Sequence, residues 1–97
     1  MWWKRHGAAE LRAILLEEWD PIGVRGIPEA ADEYDSYLGQ LGSRLRADAP
    51  ADNVAAFLTE IEEVHMGLGH SQTARKRNEA LARRLKAWHA RAMADAP

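Results

Sequence analysis

The chain of 97 residues contains no cysteine, which excludes disulfide bonds, thiolate zinc sites and cysteine nucleophiles. It also has no apolar run near the roughly 20 residues that a helix needs to cross a bilayer. The first residues, Met1 to Gly7, are too short in apolar length to form a signal peptide. From these absences we expect a cytoplasmic protein without a membrane partner.

Familiar catalytic motifs are missing as well. No serine lies in a Gly-x-Ser-x-Gly elbow, and the sequence has no phosphate-binding loop. Glu62 and His65 have the i, i+3 spacing of di-iron carboxylate bundles, but those sites need a second such motif and further glutamates. We therefore predict no enzyme activity, no metal and no cofactor, and we rank a metal or enzymatic function through Glu62 and His65 last.

The sequence has helical periodicity throughout and no period-two alternation of apolar and polar residues that would indicate a strand. Its apolar spacing predicts helices over about 8–18, 36–47, 52–66 and 72–94. We expect one all-α domain over residues 1–97, folded as a compact four-helix bundle with a long irregular connection between helices 1 and 2.

The first connection opens with an unusual run from Trp19 to Gly23. Pro21 is expected to end helix 1, because the residue before a proline is pushed out of the α region. We expect Trp19 to be largely buried and Asp20 to accept backbone N–H bonds of the turn. Trp19, Asp20, Pro21 and Gly23 are thus predicted to form a structural motif.

The start of helix 2 has two alternatives. The helix begins either at Pro28 or near Ser36 with Asp35 as its N-cap, and we favour the later start, with one separate turn from Pro28 to Asp32. Gly39 and Gly42 weaken the helix in both versions, by roughly 0.5–1 kcal/mol each relative to alanine.

Helices 3 and 4 have different patterns. In helix 3 the glutamates at 60, 62 and 63 are assigned to the flanks and the outside, and the inward candidates are Val54, Phe57, Leu58, Ile61, Val64 and His65. Helix 4 has Ser71 or Thr73 as its cap. Alternating steps of four and three residues define a seam along it: Ala74, Asn78, Leu81, Leu85, Trp88 and Ala92.

Charge is distributed unevenly along the chain. Residues 1–65 contain 6 Lys/Arg and 13 Asp/Glu, whereas residues 66–97 contain 7 and 2, and the net charge is −2. The acidic two thirds of the chain would repel phosphates, which argues against a nucleic-acid partner. Carboxylates and tyrosines concentrate in one short segment, for which we predict a protein-docking face: Asp32, Glu33, Tyr34, Asp35 and Tyr37.

Three runs together carry a family resemblance: Trp19 to Gly23, Asp32 to Tyr37 and His65 to Leu68. The combination resembles a group of small bacterial helical proteins of unassigned function, and it is distantly similar to the DUF1871 family, in which a Trp-Asp-Pro run precedes a Tyr-Asp helix start. The resemblance covers about residues 11–70. It implies an all-α fold and implies no function.

These observations favour a module that binds another protein. The acidity of its predicted docking face is what we expect of a surface that binds a basic protein. By analogy, small acidic bacterial proteins of this kind act as immunity or antitoxin-like proteins that cover a basic enzyme. The alternative is a structural homo-oligomer that packs through Trp2, Trp3 and helix 4.

Overall fold

A computed structural model of the protein describes residues 2–23, 26–27 and 33–95. These residues contain four helices and no strand, so the all-α prediction is confirmed for the described part of the chain. Helix α1 is continuous through Trp3–Gly7, Ala8–Ile14 and Leu15–Trp19. Helix α2 is Asp35–Arg46, α3 is Ala51–Glu60 continued by Ile61–His65, and α4 is Gln72–Asp95. No helix among the described residues is long and apolar enough to cross a membrane.

Backbone contacts divide the chain into two compact units, Met1–Ser43 and Arg44–Pro97. The boundary lies inside α2, three residues before its end. The prediction of one domain over the whole chain stays a prediction.

In the first unit, α1 begins at Trp3, so the predicted start at Ala8 is wrong. Gly7 does not begin the helix but lies buried within it, and its missing side chain makes room for aromatic rings. A Cβ atom at Gly7 would lie 2.7 Å from Cζ3 of Trp2 and 2.8 Å from Cε3 of Trp3. The two half-buried tryptophans pack over this glycine and extend the helix towards the N-terminus.

Helix α2 begins at Asp35, one residue before the favoured start near Ser36. The turn predicted from Pro28 to Asp32 lies outside the described residues. Gly42 faces Trp3, because a Cβ atom at this position would lie 2.5 Å from Cη2 of the indole. A Cβ atom at Gly39 would meet nothing within 4 Å. Of the two glycines, only Gly42 is therefore required by packing.

In the second unit, α3 and α4 pack along a shared apolar core. The fully buried side chains in it are Val54, Leu58, Ile61, Leu81 and Leu85. Three helix 3 predictions are wrong: Val64 and His65 are exposed, and Glu62 is buried.

The end of α3 is a wide π-helical turn. The N–H of Met66 donates to the carbonyl of Ile61 at 2.8 Å, whereas an α-helix would pair it with the carbonyl of Glu62. Glu62 lies four residues after Leu58 and faces the core by ordinary helical spacing, although its charge had placed it outside in the prediction. Val64 and His65 lie within the wide turn and are exposed.

The seam predicted on α4 is the side that packs inside the second unit. Asn78, Leu81 and Leu85 are buried, and Ala74, Trp88 and Ala92 are half-buried. Asn78 Nδ2 donates to Glu62 Oε2 at 2.7 Å and to Thr59 Oγ1 at 3.2 Å, which gives the one polar seam residue two partners on α3. Ser71 is the N-cap, since its Oγ accepts the N–H of Ala74 at 3.2 Å.

Candidate functional site

Tyr34 is the centre of the junction between the end of α1 and the start of α2. Its side chain is fully buried, and its ring centroid lies 5.2 Å from that of Trp19, which is also buried. The phenol oxygen accepts the N–H of Ile22 at 3.3 Å and donates to Asp20 Oδ1 at 2.8 Å. Burial, aided by the hydrogen bond to Asp20, raises the pKa of Tyr34 and keeps the phenol protonated as a donor.

Asp20 accepts a side-chain hydrogen bond at the end of α1. The hydroxyl of Tyr34 binds the N–H of Ile22 and donates to the Asp20 carboxylate, and the expectation that this carboxylate accepts backbone N–H bonds of the turn stays a prediction. Asp20 also ends α1 with a left-handed backbone, at φ 33° and ψ 56°, directly before Pro21. Its main-chain carbonyl accepts the N–H of Gly23 at 3.2 Å, which closes the turn. The run from Trp19 to Gly23 thus has a structural role within the first unit.

Asp35 is bound by α1. Arg12 Nε donates to Asp35 Oδ1 at 2.8 Å, and Arg12 Nη2 donates to Oδ2 at 2.6 Å. This two-point geometry matches the planar guanidinium to the carboxylate and fixes the direction of both side chains. The first residue of α2 is therefore tied to the middle of α1.

These contacts leave little of the docking face predicted for residues 32–37. Tyr34, predicted as a member of this face, has no exposed surface, because its ring fills the core beside Trp19. Asp35 is half-buried on Arg12, Tyr37 is half-buried, and Glu33 is exposed. Asp32 lies outside the described residues. Pattern alone did not separate Tyr34 from Tyr37, because both lie in the same polar run.

A second acidic surface lies in the groove between α3 and α4, and sequence analysis did not identify it. The groove has a volume of about 440 Å³. We call it the α3–α4 groove. Its charged lining is Asp52, Glu60, Glu63, Glu79 and Arg75.

The floor of the α3–α4 groove is made of small or apolar side chains: Ala55, Ala56, Thr59 and Val64. Val64 is 70% exposed, and Leu68, just beyond the end of α3, is 49% exposed. A floor of this kind within a ring of charges resembles the composition of a protein interface, which has an apolar centre and a polar rim.

Arg75 occupies part of the groove. It donates through Nε to Glu63 Oε2 at 3.0 Å and through Nη2 to Oε1 at 3.1 Å, and His70 Nδ1 lies 3.5 Å from the same carboxylate. The hydrogen bonds from Arg75 lower the pKa of Glu63. The groove already holds one guanidinium on a carboxylate, which shows the kind of cation that it accommodates.

One sequence signal could have indicated the groove. Glu79 is the single acidic residue among the cations of α4 before Asp95, and it lies four residues after Arg75, on the same side of the helix. The turn of α3 that presents Val64 had no such signal, because the i, i+3, i+4 pattern continues through it.

Glu62 and His65, the pair considered for a metal or enzymatic function, have different environments. Glu62 is buried against Asn78, whereas His65 is exposed with its Nε2 3.9 Å from Glu60 Oε1. Within the ranges that the structure describes, no group of three or more histidine or acidic side chains could hold a metal ion.

Comparison with protein-family models, with curated proteins and with solved structures finds no match to this chain. The resemblance to the DUF1871 family therefore stays a prediction from the three sequence runs. The structure adds what those runs do here: Trp19, Asp20 and Tyr34 form the α1–α2 junction, and Gly67 ends α3 with a left-handed backbone at φ 65°.

Proposed function

We propose that this protein is a protein-binding module that holds a basic segment of another protein in the α3–α4 groove. The observation that carries the proposal is the composition of the groove, in which four carboxylates face one guanidinium around a floor of small and apolar side chains. The proposal keeps an acidic docking face, as predicted from the sequence, but assigns it to the α3–α4 groove instead of residues 32–37.

The chemistry of the groove favours a cationic segment with some apolar surface. Carboxylates at Glu60 and Glu79 would steer lysine or arginine side chains towards the groove and penalise acidic competitors. The exposed Val64 would add a desolvated contact at the end of the floor. An immunity or antitoxin-like protein that covers a basic enzyme in a bacterial cytoplasm would work in this way, and this part of the proposal rests on analogy.

A comparison of two acidic surfaces tests the proposal. Glu60→Gln with Glu79→Gln removes two carboxylates from the groove, and Asp32→Asn with Glu33→Gln removes two from the segment predicted from sequence. A partner is captured with the wild-type protein, identified, purified, and titrated with each variant by calorimetry. We expect the groove variant to lose about tenfold or more in affinity and the segment variant to change less than about twofold.

The same experiment can contradict the proposal. If the segment variant loses affinity and the groove variant does not, the docking face lies at residues 32–37. If neither variant changes the affinity while both keep the wild-type melting temperature, neither acidic surface binds the partner. Circular dichroism of each variant checks that the helices are intact.

The structure weakens the original homo-oligomer alternative. The α4 seam residues Leu81 and Leu85 are already buried by this chain, and a twofold contact through them would require α4 to leave α3. Trp2 and Trp3 are half-buried over Gly7. For a contact with a second copy, the seam keeps the partly exposed surface of Ala74, Trp88 and Ala92.

A further inference from the structure

Helix α4 carries five cations outside its buried seam. We call them the basic stripe, and they are Lys76, Arg77, Arg83, Arg84 and Arg91. All five are exposed. Steps of seven residues place Arg77, Arg84 and Arg91 nearly in line along one flank of the seam, and Lys76 and Arg83 lie about 100° further round the helix. The stripe covers about 22 Å of helix at 1.5 Å per residue.

One acidic residue lies within the sequence of the stripe. Glu79 follows Lys76 by three residues and precedes Arg83 by four, so it neighbours both on the helix surface, and it also lines the α3–α4 groove. From Ala80 to Ala94 the sequence contains no Asp or Glu. The stripe is therefore predominantly cationic.

The α3–α4 groove supplies such a surface on the same chain. Its α3 side extends from Asp52 to Val64, about 18 Å of helix, which is close to the length of the stripe. Glu60, Glu63 and Glu79 line it, and Arg75 shows within one molecule how a guanidinium of α4 pairs with a carboxylate of α3. The stripe and the groove are opposite in charge and similar in length. The ion pair between Arg75 and Glu63 is of the type that the two surfaces would form.

We infer that the basic stripe of one copy docks in the α3–α4 groove of a second copy. The inference rests on the proposed function, because it uses the same groove and names one occupant for it. The contact is heterologous, since two different surfaces meet, and each copy has both surfaces. Copies therefore associate head to tail, and the groove of a docked copy is closed to any other basic partner.

Sedimentation velocity on the full chain tests the inference. At about 50 mM salt the Debye length exceeds 10 Å, and we expect the average mass to rise with protein concentration. At about 1 M salt the Debye length is near 3 Å, and we expect the mass of a monomer. A wild-type protein that is monomeric at millimolar concentration in low salt would overturn the inference.

Charge-reversed variants identify the two surfaces. The stripe variant is Arg77→Glu with Arg83→Glu, and the groove variant is Glu60→Lys with Glu79→Lys. Each is expected to be monomeric alone, and an equal mixture of the two is expected to associate again, because the unchanged stripe of the groove variant then meets the unchanged groove of the stripe variant. Matched controls on exposed positions of α1 carry the same charge changes: Lys4→Glu with Arg5→Glu, and Glu10→Lys with Glu17→Lys.

The controls decide between docking and general charge effects. Association that survives in both α1 controls but is lost in the stripe and groove variants supports the inference. Equal loss in the controls overturns it, as does a mixture that stays monomeric. If the wild-type protein is monomeric and binds duplex DNA through the stripe, the stripe is a polyanion site and the inference is also overturned.

Failure of the inference and failure of the proposed function give different results. A monomeric wild-type protein whose groove variant still loses affinity for a captured partner refutes self-docking and leaves the proposed function intact. Head-to-tail association, together with a partner whose affinity the groove variant does not change, refutes the proposed function and leaves self-docking as the use of the groove.

Discussion

Tyr34 connects residues that are distant in sequence through a single hydroxyl. It accepts from the backbone of Ile22 and donates to the side chain of Asp20, while its ring lies against Trp19. Both polar groups are near buried aromatic surface, where an unmade hydrogen bond costs more than it would in water. The left-handed backbone of Asp20 is a strained conformation that this hydroxyl helps to hold.

Removal of the Tyr34 hydroxyl is expected to destabilise the first unit. Tyr34→Phe keeps the ring but leaves the N–H of Ile22 and the carboxylate of Asp20 without this partner, and we expect a loss of about 1–3 kcal/mol in the free energy of unfolding. Urea unfolding followed by tryptophan fluorescence measures it. Asp20→Asn is the matched control, because asparagine tolerates the left-handed region and still accepts from the phenol. An Asp20→Asn variant that is less stable than Tyr34→Phe would contradict this account.

His89 on α4 introduces a dependence of stability on pH. Burial lowers its pKa, the charge of Arg46 lowers it further, and Asp48 partly opposes the shift. A histidine whose folded-state pKa lies below its unfolded value of about 6.5 contributes stability above that value, and the contribution is lost as the pH falls towards the folded pKa. We expect the melting temperature to fall between about pH 7.5 and pH 5.

The substitution His89→Gln isolates this effect. Since glutamine does not titrate, the fall in melting temperature over the same interval is expected to be smaller than in the wild-type protein. His65→Gln, at an exposed histidine, is the control for the substitution itself. Equal slopes in the wild-type protein and His89→Gln would show that other groups cause the acid sensitivity.

At the scale of elements, the helices depend on small residues and wide turns as well as on apolar periodicity. Gly7 and Gly42 are positions where an indole ring occupies the space of a Cβ atom. The end of α3 is a π-helical turn, Ile61–His65, in which Val64 and His65 are exposed. Neither feature follows from helix propensity, because propensity scores each residue without its neighbours in space.

The two glycines of α2 are expected to respond in opposite ways to the same substitution. Gly42→Ala places a methyl group 2.5 Å from the Trp3 ring and is expected to cost about 1–3 kcal/mol through overpacking. Gly39→Ala meets open space and is expected to stabilise α2 by about 0.5–1 kcal/mol. Thermal melting of the two variants beside the wild-type protein measures both. A Gly42→Ala variant as stable as Gly39→Ala would show that Trp3 is not packed on α2.

At the scale of the whole molecule, the distribution of charge matters more than its sum. The chain carries only −2 at pH 7, but the second unit alone contains both the acidic groove and the basic stripe. Surfaces of opposite sign on a molecule of low net charge attract other copies as soon as the weak net repulsion disappears.

The solubility of the protein is accordingly expected to pass through a minimum near its isoelectric point of about 6.1. Polyethylene glycol precipitation across pH 5 to 8 measures the minimum, and added salt is expected to raise solubility there by screening the opposite charges. In the Glu10→Lys with Glu17→Lys variant, each exchange adds two positive charges, which changes the net charge at pH 7 from −2 to +2. Its minimum should lie above pH 7; an unchanged minimum would contradict a role for net charge.

Much of the secondary structure could be predicted from local patterns. The apolar spacing of Leu11, Leu15 and Trp19, the break at Pro21 and the seam of α4 lie where the sequence analysis placed them. Such features depend on residues within one or two turns of each other, and the period of a helix relates them directly. The start of α1 was placed too late because Gly7 resembles a helix boundary in sequence, and only its contact with the two preceding tryptophans shows that the helix continues through it.

Only the acidic character of the candidate site could be predicted from the sequence, and its location could not. Sequence alone determined an all-α chain of uneven charge, with an acidic majority and a basic last helix. The tertiary structure decided that Tyr34 is core, that Glu62 turns inwards and Val64 outwards, and that carboxylates of α3 and α4 line one groove. The reason is physical: the spacing of residues in a helix fixes which side chains share a face, but whether that face meets protein or water depends on the elements that pack against it.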